Sequence, residues 1–301
     1  MTMHVAHPAS TLVRVDRAGV VFWRSPALDA LGVPHGFSTR HGGVSTAPFD
    51  TLNLGRAGGV PLELSDPQEN RTENLRRFMH AVGIEGRLVA RVHQVHGAAV
   101  IDASAGAIEG TAAGDGRDSR AAVDAHDPCA ASTARPSDPH ADALVSARGS
   151  QALMVTVADC APILLACARS RVIAAVHAGW RGVIAGVVDA AVARMQSLGA
   201  DGAEIRVAIG PCIGVDSFEV GDEVVDAFRS SALSDAVRRR PGARATIDLS
   251  GAVWKLLRRA GIPGEHIDRS ERCTVADSRD CFSYRRDGAR SGRMAAIIAP
   301  R

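Results

Sequence analysis

Residues 153–182 read LMVTVADCAPILLACARSRVIAAVHAGWRG and hold the densest chemistry in the chain. Two apolar, strand-like runs end near reactive side chains: residues 153–157 lead to Cys160, and residues 172–176 lead to His177. A thiol and an imidazole at the ends of neighbouring buried strands are either a nucleophile with its base or two ligands of a metal. Both interpretations predict a functional site where these two strands end.

Composition excludes several classes of protein. The chain has 301 residues, 46% of them hydrophobic, as in a globular protein with a full core. The formal net charge of +2 gives no electrostatic basis for binding nucleic acid. No apolar run approaches the roughly 18 residues of a membrane helix, and the N-terminal stretch lacks the pattern of a signal peptide. The six cysteines are scattered without a CxxC pair, so we expect reduced thiols in the cytoplasm. Because no membrane helix is evident, we also expect no membrane partner.

Helical periodicity is evident in three segments. Residues 66–83 predict a helix with Asp66 as its N-cap and a stripe of core residues. Residues 183–198 follow His177 as one amphipathic helix. A third helix follows Asp248, which we expect to cap it. None of the three stripes indicates more than core packing.

Two histidines, His93 and His96, lie in the segment HQVHG between apolar runs at 88–92 and 98–101. In a strand, a spacing of three places side chains on opposite faces, so we expect at most one of them in a common site. Residues 103–140 carry few large apolar side chains and cannot bury enough surface to offset their ordering entropy. We interpret that segment as a disordered insertion between two strands, whose histidines and cysteine are incidental.

Three interpretations of Cys160 follow from the residues alone. There is no dinucleotide fingerprint, P-loop or HExxH motif, so the candidates are dispersed along the chain. A cysteine hydrolase would use His177 to activate Cys160. A zinc site would add one histidine of HQVHG and keep a fourth position open, where zinc lowers the pKa of bound water toward ~7. Alternatively, Cys160 is a buried core cysteine. The residues leave all three open.

Six sequence blocks, however, occur in a recognisable order. They are HQVHG, DALVS, TVADCAPILL, AAVHAGWRG, AIGPCIGVDSFEVG and the C-terminal CT…FSYRRDG…GRMA. Together they resemble the YfiH-type proteins, also called the polyphenol-oxidase or laccase-domain family, over most of residues 35–102 and 141–298. The resemblance implies a single α/β domain over residues 12–300, built of mixed β-sheets with outer helices, into which the 103–140 insertion is placed.

The resemblance also implies a zinc site made by His96, Cys160 and His177, with His96 rather than His93 as the ligand. Copper is the less favoured metal, because laccase chemistry needs further histidine-rich copper sites. Asp159 is expected to orient a ligand or to cap a turn. Cys160, His177 and Asp159 are accordingly the candidate catalytic residues.

The activities that the resemblance implies are phosphorolysis of purine nucleosides (adenosine, inosine, guanosine and methylthioadenosine) and deamination of adenosine. These are transferase and hydrolase reactions on nucleosides and phosphate. Phosphorolysis needs an anion site, for which Arg40, Arg181 and Arg286 are candidates together with the helix start near Gly182. Asn53 is a candidate for holding the ribose or the base.

Two alternatives remain from the sequence. One is a cysteine amidohydrolase that uses Cys160 and His177, and the other is a hydrolase that edits peptidoglycan precursors. Phenol oxidation of the laccase type fits less well, because only three metal ligands can be identified.

Overall fold

The computed structural model describes residues 12–56, 61–105, 139–147 and 149–301. In chain order the strands are β1 (Val13–Arg17), β2 (Val20–Arg24), β3 (His35–Ser38), β4 (Val89–Ala90), β5 (Val100–Asp102), β6 (Ala143–Ser146), β7 (Ala152–Val157), β8 (Ala161–Cys167), β9 (Ile173–Ala178), β10 (Ile205–Ile209), β11 (Val237–Arg238), β12 (Thr246–Ile247), β13 (Ile267–Arg269) and β14 (Met294–Ile298). The α-helices are α1 (Pro26–Asp29), α2 (Gln68–Val82), α3 (Trp180–Ala185), α4 (Val187–Ser197), α5 (Asp222–Arg229), α6 (Leu249–Arg259) and α7 (Tyr284–Asp287). Most of the predicted insertion, residues 106–138, lies outside the described residues.

Two six-stranded sheets carry the fold. The first has the strand order β1-β2-β3-β14-β7-β4, and the second has the order β13-β10-β8-β9-β6-β5. Most neighbouring strands are antiparallel, whereas β4 runs parallel to β7, β5 to β6 and β13 to β10. The predicted α/β class with mixed sheets and outer helices is therefore confirmed.

The two sheets share a core because successive side chains of a strand point to opposite faces. Leu153 and Val155 of β7 lie in one buried cluster with Leu164 of β8 and Ala175 of β9, which belong to the other sheet. All six residues of β7 are buried, so both of its faces are covered. A strand covered on both faces reads as a continuous apolar run, which is why residues 153–157 show no polar alternation.

Helices cover the outer face of each sheet. Ile163 and Val176 of the second sheet pack with Met195 of α4. On the first sheet, Met154 packs with Phe78 of α2. The order of layers is thus α2, first sheet, second sheet, and then α4 with α6. Among the described residues, none of the helices is long and apolar enough to span a membrane.

The two strands that lead to Cys160 and His177 pack against each other in the shared core but are not paired within one sheet. β7 belongs to the first sheet, whereas β8 and β9 are antiparallel neighbours in the second. The apolar run 161–167, to which the sequence analysis assigned no element, forms β8 and places Pro162 opposite His177. Cys160 therefore lies where the chain crosses from one sheet to the other, at the end of β9 that carries His177.

Helix boundaries also differ from the sequence patterns in two places. The N-cap of α2 is Pro67, and no side chain caps this helix. The Asp66 carboxylate instead accepts hydrogen bonds from Ser45 Oγ at 2.6 Å and from Asn53 Nδ2 at 2.9 Å. The helix after His177 is interrupted at Gly186, whose φ of 90° ends α3 before α4 begins. A left-handed φ suits glycine and breaks the helical hydrogen-bond ladder.

Candidate metal centre

Three side chains from separate segments converge at the end of the β8–β9 hairpin. The ligand atoms of His96, Cys160 and His177 all lie within 4.8 Å of one another. Cys160 Sγ is 3.7 Å from His96 Nε2, and the two imidazole rings have centroids 4.8 Å apart at an interplanar angle of 80°. Both histidines are buried and Cys160 is half-buried. The group is thus sheltered by the protein but open on the cysteine side.

His96 reaches this group from a loop rather than from a strand. Its φ is 58°, an uncommon conformation for a residue with a side chain. The loop is held by the Asp142 carboxylate, which accepts hydrogen bonds from the backbone N–H of His96 at 3.0 Å and of Gly97 at 2.7 Å. A weaker bond comes from Val95 N at 3.3 Å. The strand-parity rule does not apply to this loop, whose shape is set by Asp142.

His93 lies outside the metal group. It forms a backbone bridge with His140, and the two rings have centroids 4.7 Å apart. His140, which the sequence analysis treated as incidental to function, thus stands beside the histidine that does not join Cys160.

Asp142 also fixes the imidazole of His177. Its Oδ1 lies 2.8 Å from His177 Nδ1, and its backbone oxygen accepts from His177 N at 2.7 Å. An Nδ1–H that donates to this carboxylate leaves Nε2 as the ring nitrogen with a lone pair. Burial raises the pKa of Asp142, but the hydrogen bond and charge of His177 and the Gly97 N–H outweigh it, so the pKa is lowered and the carboxylate stays ionised.

Sequence reasoning missed Asp142, although it begins the block DALVS. One signal was available: an acidic residue directly before an apolar strand, in a chain whose candidate ligands include two histidines. Metal-binding histidines commonly donate their second N–H to a carboxylate. Which histidine that carboxylate faces depends on the pairing of β6 with β9.

Cys160 is positioned by Asp159, which precedes it in the turn between β7 and β8. Asp159 has a φ of 90°, and its backbone oxygen accepts from Ile213 N at 2.8 Å. Its carboxylate accepts from Thr274 Oγ1 at 2.5 Å and from Arg285 N at 2.6 Å. These bonds tie the turn to the C-terminal part of the chain, so the structure gives Asp159 a positioning task.

Gly179 allows the ligands to approach one another. A Cβ atom at this position would lie 2.7 Å from His96 Cδ2 and 3.1 Å from Cys160 Sγ. Its φ of −74° is open to any residue, so the need for glycine comes from space and not from backbone conformation. The helix that follows, α3, has only six residues. The glycine in HAGW thus serves the site and does more than make a tight turn.

Arg286 is committed to internal contacts. Its guanidinium donates to the carbonyl oxygens of Thr274, Val275 and Cys281 and to both carboxylate oxygens of Asp287. These five bonds use the five N–H groups of an arginine. In this structure Arg286 holds the C-terminal loop together, and its role as an anion-site candidate stays a prediction.

Asn53, the candidate for holding the ribose or the base, is hydrogen-bonded within the protein. Its side chain is fully buried. Its Nδ2 donates to Asp66 Oδ2 at 2.9 Å, and its Oδ1 accepts from Arg293 N at 2.8 Å. Burial and internal hydrogen bonds explain why a polar residue occupies this loop.

Arg40 and Arg181 differ in what their guanidinium groups contact. Arg40 Nε donates to Asp50 O at 2.9 Å, its Nη2 lies 3.3 Å from the Asp50 carboxylate, and the group sits 4.7 Å from the Phe282 ring centroid. Arg181 is exposed, and its guanidinium lies 4.6 Å from the ring centroid of Trp180. Arg181 lies two residues after Gly179, the glycine that faces His96 and Cys160.

The donor set fits a transition metal. Cysteine thiolate and histidine nitrogen are both zinc donors, and catalytic zinc sites have three protein ligands that leave one position open. The Asp142 contact gives one histidine the second hydrogen bond that such ligands make. Among the described residues, the group of three or more potential metal ligands whose ligand atoms lie close together is His96, Cys160 and His177.

The two mixed sheets with outer helices and the His-Cys-His group place the chain in the class of α/β proteins with a candidate metal centre. Residues 34–301 match the family model described as multi-copper polyphenol oxidoreductase laccase, and the chain belongs to this family. A purine nucleoside phosphorylase from Deinococcus radiodurans is 36% identical over 281 residues, which are 93% of each chain. The family resemblance found in the sequence is thereby confirmed.

Two further similarities bear on activity and fold. An adenosine deaminase designated RL5, from an unknown prokaryotic organism, is 41% identical over 155 residues, or 50% of this chain and 59% of that protein. The crystal structure of YlmD from Geobacillus stearothermophilus superposes with a TM-score of 0.77 at 30% identity, covering 97% of this chain and 99% of that one.

Proposed function

We propose that this protein is a zinc-dependent purine nucleoside phosphorylase that also deaminates adenosine. The observation that carries the proposal is the convergence of His96, Cys160 and His177 within 4.8 Å, with Asp142 bound to the second nitrogen of His177. The names of the relatives support purine nucleosides as substrates. We extend the proposal to adenosine, inosine, guanosine and methylthioadenosine, with phosphate as the second substrate.

Zinc would be held by His96 Nε2, by Cys160 as the thiolate and by His177 Nε2. When bound, zinc supplies Lewis-acid chemistry for polarising a substrate or water. We favour zinc over copper because oxidation of the laccase type needs several copper ions, whereas the described residues supply one three-ligand group.

The protein's own groups divide the remaining work. Asp142 keeps a proton on His177 Nδ1, which fixes the ring's orientation and tautomer. Asp159 fixes the turn that presents Cys160. Arg181, which is exposed and lies two residues after Gly179, is suited to bind the phosphate that attacks the ribose carbon during phosphorolysis. Arg40, whose guanidinium contacts Asp50, is a second candidate for this role.

The cytoplasm is the compartment we propose. The five described cysteines are free thiols. Free thiols persist in a reducing compartment.

The test is a product assay on the purified full-length protein. Adenosine and inosine would be incubated with and without phosphate and with and without a zinc chelator. We expect phosphate-dependent release of the free base, phosphate-independent formation of inosine from adenosine, and loss of both with the chelator. Cys160→Ala should abolish both, whereas Cys212→Ala, which removes a buried thiol bonded only weakly to a carbonyl oxygen at 3.7 Å, should retain them. Turnover that survives the chelator and the loss of Cys160 would contradict the proposal.

One observation favours a second candidate, a cysteine amidohydrolase. Asp142, His177 and Cys160 stand in the order carboxylate, imidazole, thiol, which is also the order of a catalytic triad. Such an enzyme would be inactivated by iodoacetamide at Cys160 and would tolerate the chelator. Cys212 gives a built-in control, because burial raises the pKa of its thiol to about 12 and keeps it unreactive.

A further inference from the structure

A second cavity lies at the opposite end of the β8–β9 hairpin from the metal group. Its volume is about 520 Å³, which falls in the range of roughly 300–1,000 Å³ typical of small-molecule sites. Cys160 precedes the first residue of β8, whereas the cavity is lined by the loop that follows the last. The seven residues of β8 rise ~3.3 Å each, so about 20 Å separate the two sites. The cavity is therefore distinct from the candidate metal centre.

The lining of this cavity is strongly basic. The described residues that line it include Arg169, Arg171 and Arg301 and no Asp or Glu side chain. Elsewhere in the structure arginines face carboxylates, as Arg272 faces Asp277 at 2.5 Å. Even with an α-carboxylate at Arg301, the lining keeps a net positive charge. Three like charges around one cavity repel each other, and an anionic ligand would relieve that repulsion.

Two of these arginines have positions defined by the backbone. Arg171 has a φ of 59°, in the left-handed region where glycine is preferred, yet an arginine occupies it. Its loop, residues 168–171, is closed by the hydrogen bond from Cys167 N to Val172 O at 2.9 Å. Arg301 lies over Gly32, where a Cβ atom would be 3.3 Å from the Arg301 Nε. Residues in sparsely populated backbone regions cluster at functional sites, ligand clamps among them.

The floor of the cavity is apolar. Val33 and Ile173 are buried, and Leu31 packs against the same core cluster. A ligand that fits this cavity therefore has a compact anionic group for the arginines and an uncharged part for the floor. A guanidinium group binds oxygen atoms in pairs. A phosphate has more oxygen atoms than the two of a carboxylate, so it can engage more than one arginine.

We propose that the cavity lined by Arg169, Arg171 and Arg301 binds a small organic phosphate, at a site separate from the metal group. Adenosine 5′-monophosphate is a suitable probe, with inorganic phosphate and uncharged adenosine beside it. The monophosphate binds best, inorganic phosphate binds more weakly because it leaves the floor unused, and adenosine does not occupy the cavity. Binding at this site is independent of Cys160.

The experiment is isothermal titration calorimetry on the full-length protein. The triple variant Arg169→Ala, Arg171→Gly, Arg301→Ala removes the three charges, and glycine at position 171 suits the left-handed backbone. We expect monophosphate affinity to fall by about tenfold or more, since hydrogen bonds to charged groups each contribute about that factor. A second titration in Cys160→Ala should give the affinity of the unaltered protein.

The matched control removes the same charge elsewhere. Arg229, Arg244 and Arg259 are exposed and lie outside the cavity, so their joint replacement by alanine should leave monophosphate binding unchanged. The proposal is overturned if the unaltered protein does not bind the monophosphate, if the cavity variant binds it as tightly, or if both triple variants weaken it equally. Affinity lost with Cys160→Ala alone would place the ligand at the metal group and also overturn the proposal.

Discussion

Replacing Asp142 with asparagine should weaken zinc binding while leaving the fold intact. Each carboxylate oxygen of Asp142 serves two donors: Oδ1 faces His96 N and His177 Nδ1, and Oδ2 faces Gly97 N and Val95 N. An asparagine has one oxygen and one NH₂ group. Whichever way the amide is turned, one pair of N–H donors loses its acceptor and meets another donor.

The loss of stability and of zinc affinity depends on which pair of N–H donors loses its acceptor. Hydrogen bonds to a charged acceptor contribute about 1.5–3 kcal/mol each, and the Val95 contact at 3.3 Å lies near the long end for such bonds. We therefore expect a loss of about 3 kcal/mol in unfolding free energy. If the NH₂ group faces His177 Nδ1, the ring must carry its proton on Nε2, which then cannot bind zinc. Loss of a carboxylate behind a metal-binding histidine lowers affinity by about 10- to 100-fold.

Zinc affinity would be measured by competition with a chromophoric chelator, and stability by urea unfolding in the presence of excess chelator. Asp102→Asn is the matched control, because Asp102 bonds to Ser104 N at 2.8 Å and pairs with Arg194, outside the metal group. It should bind zinc like the unaltered protein. The reasoning is refuted if Asp142→Asn also binds zinc with unaltered affinity.

Three further predictions concern single positions. Gly179→Ala would place a Cβ atom 2.7 Å from His96 Cδ2, so zinc affinity should fall sharply while secondary structure by circular dichroism is retained; unchanged affinity would contradict the close approach. Burial lowers the pKa of His35 below its ordinary value of about 6.5, and its Nε2 accepts from Ser25 N at 2.8 Å. The unfolded chain therefore takes up a proton more readily than the folded one, so unfolding free energy should decrease as pH falls below about 6.5, a slope that His35→Gln should reduce. Asp248→Ala removes the N-cap bond to Gly251 N at 2.8 Å and should cost about 1 kcal/mol in urea unfolding, whereas replacing exposed Asp222 should cost less.

Local patterns predicted the elements that depend on local physics. β7 and β9 largely coincide with the apolar runs at residues 153–157 and 172–176, and the Asp248 side chain caps α6 as expected. The predicted N-cap of α2 was wrong, because the Asp66 carboxylate binds Ser45 and Asn53, which lie more than ten residues earlier in the chain. A cap is predictable only when no distant partner competes for the same oxygen atoms.

Long-range pairing set the limit for the rest of the fold. The alternation of polar and apolar residues does not show that β7 pairs with β14 while β8 pairs with β9, since all of these strands are buried along their whole length. The interruption at Gly186 was also hidden, because the apolar face of the predicted helix continues across it. Both errors arise where burial on two sides removes the polar alternation that marks register.

In the candidate site, too, the sequence identified residues that lie in local motifs and missed those that depend on distant contacts. The three ligand residues were named from sequence blocks, and the structure brings their ligand atoms within 4.8 Å. Asp142 was missed because its partners lie 45 to 47 and 35 residues away in the chain. Arg286 and Asn53 were chosen for their chemical type, but the structure shows that neighbouring backbone and side-chain groups already use their hydrogen-bonding atoms.

The most direct test of the account is the metal content of the full-length protein, measured by inductively coupled plasma mass spectrometry after purification without added metal. The account predicts about one zinc ion per chain. His96→Ala, Cys160→Ala and His177→Ala should each lose most of it, and His80→Ala, which removes an exposed histidine bonded to Glu85, should keep it. Zinc content that is unchanged in all three ligand variants, or a protein that carries copper in place of zinc, would contradict the account.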